Sequence, residues 1–340
     1  MNYFEVSQWV DSSGQGTMGT REKEILINPD TGKVCFLKFS LLKPGRDYKT
    51  EYWSEIIASE VGRLLGFNIL EYGLAEKSGR YGCISEIMVD TEIEQLIEGY
   101  SILTNYDQSY DPNEKDMRHM YSFSFVCNAL NAYEYCRFIF DFIDILIFDA
   151  IIGNSDRHQG NWGFIHKRNV AEDMREPQRK IKAVLKRLSP KIFLRKEDTS
   201  HDTMSPIYDS GCCLGREFSE DEILLRLKNQ DRFDKYIKGS RAELRRDDMP
   251  RKKVSHFQLL QYIMSVNKEY SDHIKERIDE VSSIYNNNDI KNVVYNIDSK
   301  LPEKVRMRCK MSDERKEFIY KVIDRRIKLL SELSVDVSEN

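Results

Sequence analysis

The sequence predicts an α+β protein of two lobes, with a β-rich small lobe that carries one helix at residues 1–88 and a mainly helical large lobe at residues 89–340. Short apolar runs of strand length, separated by turn residues, dominate the first part of the chain. Longer segments with apolar residues at helical spacing dominate the rest. The chain has 340 residues, of which 40% are hydrophobic and 32% are charged, so it is long enough to bury a sizeable core.

A glycine-rich loop opens the small lobe and contains Gly14, Gly16 and Gly19. Two strand-like runs follow it, Lys23–Ile27 and Val34–Phe39, and a turn between them predicts a hairpin. Glycine lets backbone amides approach phosphate oxygens closely, so this loop is a candidate phosphate cover. Taken alone, it is an ordinary glycine-rich turn.

Lys38 lies near the end of the second strand, which is otherwise apolar. In nucleotide-dependent phosphotransfer a lysine at such a position pairs with the phosphates and with a helix glutamate. A strand-end lysine with its head group in water is the alternative. The next segment, with Thr50 as a possible N-cap and Gly66 at the stop, predicts a helix, and Glu55 is the preferred partner for Lys38. Glu51 and Glu60 share that helix and compete with Glu55.

An apolar run, Cys83–Met88, closes the small lobe and leads into a polar segment. We expect the backbone from Glu86 to Met88 to meet the adenine of a bound nucleotide. Later in the chain, Cys136–Ile152 has apolar residues at helical spacing and ends at Gly153, which predicts a buried helix with a glycine C-cap. This helix delivers the loop that follows it.

That loop carries the most informative pattern in the sequence: Asp156 is followed five residues later by Asn161, and Asp209 begins an Asp-Ser-Gly run. An acid that accepts a hydroxyl proton, with an amide and a second acid that bind metal, is the set that ATP-dependent phosphotransfer needs. Mg²⁺ requires oxygen ligands and keeps several waters, which suits this set. Two predicted strands, Trp162–Ile165 and Pro206–Tyr208, would place Asn161 and Asp209 at the ends of neighbouring strands.

The other polar residues around this loop have structural interpretations. We favour Arg157 as a loop-anchoring ion pair and His158 as a hydrogen-bonded core histidine over direct proton transfer by His158. Asp144 and Asp149, on the preceding helix, are expected to cap or brace the loop.

In this order the motifs resemble the HipA-like serine/threonine kinases, in a short form. The resemblance rests on Ile152–Phe164, Pro206–Leu214, Lys38 and Ser54–Ala58. It implies a protein-kinase-like fold, ATP and Mg²⁺ as cofactors, protein Ser/Thr hydroxyls as acceptors, and autophosphorylation. A toxin or effector role goes with the resemblance, although the residues themselves do not reveal one.

By the same resemblance Asp156 is the catalytic base, Asn161 and Asp209 bind Mg²⁺, Lys38 contacts the ATP phosphates, and Glu55 orients Lys38. Full-length HipA toxins have a further N-terminal subdomain, whereas the glycine-rich loop here begins near Gly14, so no DNA partner is expected. Asp-Arg-His-x-x-Asn is shared with phosphoinositide kinases, which makes a lipid kinase the rival within the same reaction class. A catalytically silent ATP-binding pseudokinase is the alternative outside it.

A strongly basic insertion, at about residues 167–205, separates Asn161 from Asp209 in a chain whose formal net charge is -4. Its apolar stripe predicts one short amphipathic helix. The functional interpretation is a docking surface for an acidic protein, an anionic membrane or nucleic acid, of which we retain the acidic partner. A solvated lid or loop is equally compatible with the composition.

Composition also bears on location. No apolar stretch reaches membrane-spanning length, and the first residues lack the pattern of a signal peptide. The seven cysteines are odd in number and scattered through apolar runs, which is typical of reduced core residues. These features predict a cytoplasmic protein without a membrane span.

Overall fold

The computed structural model describes residues 1–12, 23–41, 48–168 and 201–336. The strands of the small lobe are β1 (Tyr3–Glu5), β2 (Val10–Asp11), β3 (Lys23–Ile27), β4 (Val34–Phe39), β5 (Gly73–Lys77) and β6 (Arg80–Glu86). They form a six-stranded sheet in the order β1-β5-β6-β4-β3-β2. Among these neighbours β1 and β5 pair in parallel, and the other four pairs are antiparallel. The predicted hairpin is therefore present as β3 and β4.

One helix, α1 (Glu51–Leu64), packs against β5 and β6 and is buried on most of its surface. Thr50 occupies the N-cap position but its side chain makes no capping hydrogen bond. On the side facing the large lobe, the indole nitrogen of Trp53 donates to the carbonyl of Cys309 at 2.8 Å. The helix thus belongs to the small lobe and is anchored to the large one.

The large lobe is mainly helical. Its helices are α2 (Gly99–Tyr106), α3 (Phe123–Ala132), α4 (Ile139–Ile152), α5 (Glu220–Lys228), α6 (Gln230–Gly239), α7 (His256–Val266), α8 (Lys268–Ile284), α9 (Asn287–Tyr295), α10 (Glu303–Cys309) and α11 (Asp313–Asp336). A sheet of three strands, β7 (Glu94–Glu98), β8 (Gly163–Lys167) and β9 (Thr203–Met204), flanks them. The predicted two-lobed α+β fold is confirmed.

Helix α4 is the central element of the large lobe and packs against α7, α8 and α11. A short 3-10 turn, Cys136–Phe138, precedes it, so the predicted helical segment is present with a tighter first turn. Gly153 ends the helix in the left-handed conformation, with φ of 71°, which glycine adopts without a Cβ penalty. The chain therefore leaves α4 abruptly and enters the loop that contains Asp156.

The last helix, α11, has a capped start, because the Ser312 hydroxyl accepts from the amide of Arg315 at 3.1 Å. It packs against α4, and its fully buried Arg326 donates to the carbonyls of Ala150 and Ile237. The C-terminal helix therefore caps the end of α4 from which the loop departs. Within the described ranges, no helix combines the length and the hydropathy needed to cross a bilayer.

One strand prediction is wrong. Trp162–Ile165 leads into β8 as predicted, but Pro206–Tyr208 is not a strand beside it, because β8 pairs with β7 on one side and with β9 on the other. Ile207 instead makes one parallel bridge to Ile69, in which its amide donates to Asn68 and its carbonyl accepts from Leu70. Backbone bonding to the segment after α1 has replaced pairing within the sheet.

Two predicted features lie outside the described residues. They are the glycine-rich loop with Gly14, Gly16 and Gly19, and residues 169–200 of the basic insertion with its predicted amphipathic helix. The boundary between lobes at residue 88 remains a prediction.

We expect Gly163→Ala to destabilise the protein by about 1–3 kcal/mol, because the added methyl overpacks a sheet contact. A Cβ on Gly163 would lie 2.4 Å from the carbonyl oxygen of Ile97 and 2.9 Å from the Cα of Glu98. Gly239→Ala is the matched control, since a Cβ there meets nothing within 4 Å. Its free energy of unfolding should change by less than about 0.5 kcal/mol. Denaturant unfolding of both variants decides this, and equal stabilities would contradict the packing account.

Candidate functional site

The buried guanidinium of Arg157 joins the three segments that form the site. Its Nε and Nη2 donate to the two carboxylate oxygens of Asp149 on α4, both at 2.9 Å. Its Nη1 donates to the carbonyls of Asn161, at 2.8 Å, and Tyr208, and Nη2 also reaches the hydroxyl of Ser210 at 3.0 Å. The helix, the loop and the segment around Asp209 are thus fixed relative to one another.

The pKa of Arg157 agrees with its pairing to Asp149. Burial alone would lower the pKa of Arg157, but the Asp149 carboxylate outweighs burial and raises that pKa. The predicted loop-anchoring role of Arg157 and the bracing role of Asp149 are what these contacts provide. His158 accepts from the amide of Gly160 at 3.1 Å, as expected for a hydrogen-bonded structural histidine.

Asp156 lies half-buried at the start of the loop. Its amide donates to the side chain of Asn154 at 3.2 Å, and its own carbonyl accepts from the Nδ2 of Asn161 at 2.8 Å. The Cys212 thiol donates to Oδ2 of Asp156 at 3.2 Å. The side-chain Nδ2 of Asn161 is therefore engaged in a hydrogen bond within the loop. The side-chain oxygen, Oδ1, is the atom of Asn161 that suits a cation.

Lys38 and Asp209 form an ion pair between the lobes, with 3.2 Å between Nζ and Oδ1. Lys38 is 9% exposed and its Nζ lies 5.5 Å from the ring centroid of Tyr72. Burial would lower the pKa of Lys38, but the Asp209 carboxylate outweighs it and holds the pKa above its usual value. Asp209 has φ of 55°, in the left-handed region, and its amide donates to the Tyr72 hydroxyl at 3.4 Å. The left-handed backbone at Asp209 therefore directs its carboxylate towards Lys38.

This differs from the expected Lys38–Glu55 pair. Oε1 of Glu55 accepts from the amide of Ser210 at 2.8 Å, so that carboxylate is held by the segment after Asp209. Gly211 makes room for it, because a Cβ on Gly211 would lie 2.6 Å from Oε2 of Glu55. Glu55 therefore orients the Asp209 turn directly. Its negative charge also raises the pKa of Lys38, by less than the charge of Asp209 does.

The structure separates Glu55 from the other glutamates on α1. Glu51 accepts from the amide of Leu41 at 3.0 Å and pairs with Arg216, and Glu60 pairs with the terminal amine of Met1 at 3.2 Å. Glu55 is the glutamate that accepts the hydrogen bond from the Ser210 amide. The choice of Glu55 as the inward-facing glutamate agrees with this placement.

The predicted adenine-contacting segment lies at the end of β6. The Glu86 carboxylate is 47% exposed and pairs with Lys33 at 2.7 Å, so it faces the surface. The next amide, that of Ile87, donates to the carbonyl of Val34 at 2.9 Å. Adenine contact by the backbone of Glu86 and Met88 remains a prediction.

Sequence reasoning missed two residues at this site, Cys212 and Glu98. The thiol contact to Asp156 depends on how the Asp209 segment passes the loop, and spacing carries no signal for it. Glu98 is a half-buried carboxylate between β7 and α2 that interacts electrostatically with Asp209. The sequence did offer one sign of Glu98: it is a carboxylate at the end of a strand, directly before the glycine that begins α2.

The residues fit an Mg²⁺–ATP complex. Among the described residues, no group of three or more His, Cys, Asp or Glu side chains could enclose a metal. Mg²⁺ does not need such a cage, because it is commonly held by one or two carboxylates together with substrate phosphates and water. Asp209 and the amide oxygen of Asn161 supply that kind of donor set, and Lys38 supplies a cation for phosphate.

Comparison with known proteins agrees with this protein-kinase-like fold. No family model matches the chain. The serine/threonine-protein kinase CtkA of Helicobacter pylori strain J99 is 24% identical over 185 residues, which span 54% of this chain and 42% of CtkA. The aligned part is thus less than half of that relative's length.

Two solved structures are similar. The crystal structure of the Helicobacter pylori proinflammatory kinase CtkA matches with a TM-score of 0.70 at 17% identity, and covers 98% of this chain and 99% of that one. The HipA, HipB and operator DNA complex of Shewanella oneidensis MR-1 matches with a TM-score of 0.49 at 11% identity, over 97% of this chain and 67% of that one. The predicted resemblance to CtkA is confirmed, in sequence over about half of this chain and in fold over nearly all of it.

We expect Asp149→Ala to destabilise the protein by about 3–5 kcal/mol, because it leaves the Arg157 cation buried without its carboxylate. Glu317→Ala is the control, since Glu317 forms a surface pair with Lys321 at 2.7 Å with both side chains over two-fifths exposed. That loss should stay below about 0.5 kcal/mol. Denaturant unfolding measures both, and a small loss in Asp149→Ala would show that Arg157 does not depend on this pair.

Proposed function

We propose that the protein is an ATP- and Mg²⁺-dependent kinase that transfers the γ-phosphoryl group to Ser/Thr hydroxyls of proteins, itself included. One observation carries the proposal: Arg157 holds the Asp156–Asn161 loop and the Asp209 turn together, while Lys38 of β4 forms an ion pair with Asp209. An acid, an amide, a second acid and a lysine thereby share one site.

In the proposed mechanism, the oxygen of the acceptor hydroxyl attacks the γ-phosphorus and gives its proton to Asp156. The bond from the γ-phosphorus to the β–γ bridging oxygen breaks, and ADP leaves. Cys212 occupies Oδ2 of Asp156, so Oδ1 is the oxygen placed to receive that proton. Asn161 and Asp209 would hold Mg²⁺, which neutralises charge on the phosphates when bound. Lys38 binds phosphate oxygens and lowers their mutual repulsion.

The Lys38–Asp209 pair is consistent with these roles. The two charges neutralise each other at a site of low exposure. A magnesium–nucleotide complex offers each of them a partner of opposite charge, a phosphate for Lys38 and a cation for Asp209. Glu55 supports the turn through the Ser210 amide and keeps Asp209 near the loop while the partners change.

The comparisons support protein Ser/Thr hydroxyls as acceptors only indirectly. CtkA is named a serine/threonine-protein kinase, and the aligned part spans 42% of it. Protein hydroxyls, the cytoplasmic location and an acidic partner at the basic insertion are therefore parts of the proposal.

We expect Asp156→Ala and Asp209→Ala to impair phosphotransfer severely, by different routes. Loss of the base should reduce the transfer rate by about 100- to 10,000-fold and leave Mg-ATP affinity largely intact. Loss of the metal ligand should weaken Mg-ATP binding itself. Calorimetry with Mg-ATP and a self-phosphorylation assay with labelled ATP separate the two effects.

The control is Asp231→Ala, which removes one exposed aspartate from the start of α6. It should behave like the wild type. Full activity in either site variant would remove the residue from the mechanism. Label in a phosphoinositide with none on Ser or Thr would indicate a lipid kinase, and ATP binding without turnover in the wild type would indicate a pseudokinase.

A further inference from the structure

Glu98 is a half-buried carboxylate that the proposed mechanism does not use. It is the last residue of β7 and the N-cap residue of α2, where its side chain makes no capping bond. No described residue donates a hydrogen bond to its carboxylate or forms an ion pair with it. A half-buried carboxylate without a donor is costly in free energy and is a candidate for ligand binding.

The backbone around Glu98 is held rigidly against the catalytic loop. The amide of Gly99 donates to the carbonyl of Trp162 at 2.8 Å, and the amide of Tyr100 donates to the carbonyl of Gln159 at 2.7 Å. Gly99 is packed so closely that a Cβ there would lie 2.3 Å from the Trp162 ring. Glu98 is therefore placed with little freedom beside the loop that contains Asp156.

Its carboxylate points to the same loop. Oε2 of Glu98 lies 3.8 Å from the position that a Cβ on Gly160 would occupy. Gly160 immediately precedes Asn161, the proposed metal ligand. The carboxylate is thus at the rim of the proposed reaction site and not on a remote surface.

Burial outweighs the attraction of the nearby cation at Glu98. Burial raises the pKa of Glu98, Lys23 at the start of β3 lowers it, and Asp209 raises it again. The neighbouring Tyr208 feels the field of Glu98 as well. A nearby cation would relieve both the burial cost and the repulsion from Asp209, whereas a phosphate group would add to the repulsion.

We propose that Glu98 binds a basic side chain of the protein acceptor, so that the enzyme selects Ser/Thr residues close to Lys or Arg. The inference rests on the proposed kinase function and adds the charge of the substrate to it. A ribose hydroxyl of the nucleotide is the other donor that could reach a carboxylate here. A cation compensates an isolated buried anion better than a neutral hydroxyl does, which favours the basic side chain.

The test uses three synthetic peptides that share one serine and differ only in the residues flanking it, which are arginine, alanine or glutamate. Wild type, Glu98→Gln and Glu98→Lys are assayed with each peptide at saturating Mg-ATP. The wild type should prefer the arginine peptide over the alanine peptide by about tenfold in kcat/KM, mostly through KM for the peptide. Glu98→Gln should lose that preference, and Glu98→Lys should reverse it in favour of the glutamate peptide.

Glu94→Gln is the matched control, because Glu94 lies on the same strand but already accepts from the amide of Asp90 at 2.9 Å. It should keep the wild-type preference. Thermal unfolding of each variant separates misfolding from altered selectivity, and the reversal in Glu98→Lys is a gain that misfolding cannot produce.

Three results would overturn the inference. One is an equal rate with all three peptides in the wild type, and another is an arginine preference that survives in Glu98→Lys. The third is a KM that Glu98→Gln raises for ATP but not for 2′-deoxyATP, which would assign Glu98 to the ribose. If the wild type labels neither itself nor any peptide, the proposed function fails and the inference fails with it. A wild type that labels itself but shows no peptide preference loses only the inference.

Discussion

The buried ion pair between Arg157 and Asp149 is the interaction on which the site depends. A cation taken out of water is costly unless its donors are satisfied, and Arg157 satisfies them with partners from three separate segments. Arginine suits this position because its planar fork presents five donors in fixed directions, which lysine cannot reproduce. The hydrogen bonds that the buried Arg157 guanidinium needs therefore determine where the loop and the Asp209 turn lie.

Elements around this pair determine its position. Helix α4 carries Asp149, ends at the left-handed Gly153, and has its C-terminal end capped by the buried Arg326 of α11. On the other side, the Asp209 turn is tied to the small lobe through Glu55 and through the bridge between Ile207 and Ile69. The lobes are thus connected at the residues that bring Lys38 to Asp209.

Local patterns in the sequence predicted much of this arrangement. The extent of α4 follows from apolar spacing and from the cap at Gly153, which are local signals. The loop with Asp156 and Asn161 was recognisable because its chemistry lies within six consecutive residues. The bracing role of Asp149 could be anticipated since it lies on the helix that delivers the loop.

The features that sequence reasoning missed depend on contacts between distant segments. Lys38 pairs with Asp209 and not with Glu55, because the Ser210 amide already occupies the Glu55 carboxylate. The segment at Ile207 bonds to the chain after α1, a partner that periodicity within the segment cannot reveal. Glu98 became a candidate only when the fold placed it beside Gly160.

The most direct test of this account is hydrogen–deuterium exchange of Arg157→Lys, followed by mass spectrometry. A lysine cannot satisfy all three segments at once, so exchange should increase together in residues 154–161 and 208–212. The hairpin of β3 and β4, which makes no contact with Arg157 in the hydrogen-bond network, should exchange as in the wild type. Increased exchange in only one of the two segments, or in neither, would contradict the claim that this guanidinium holds the site together.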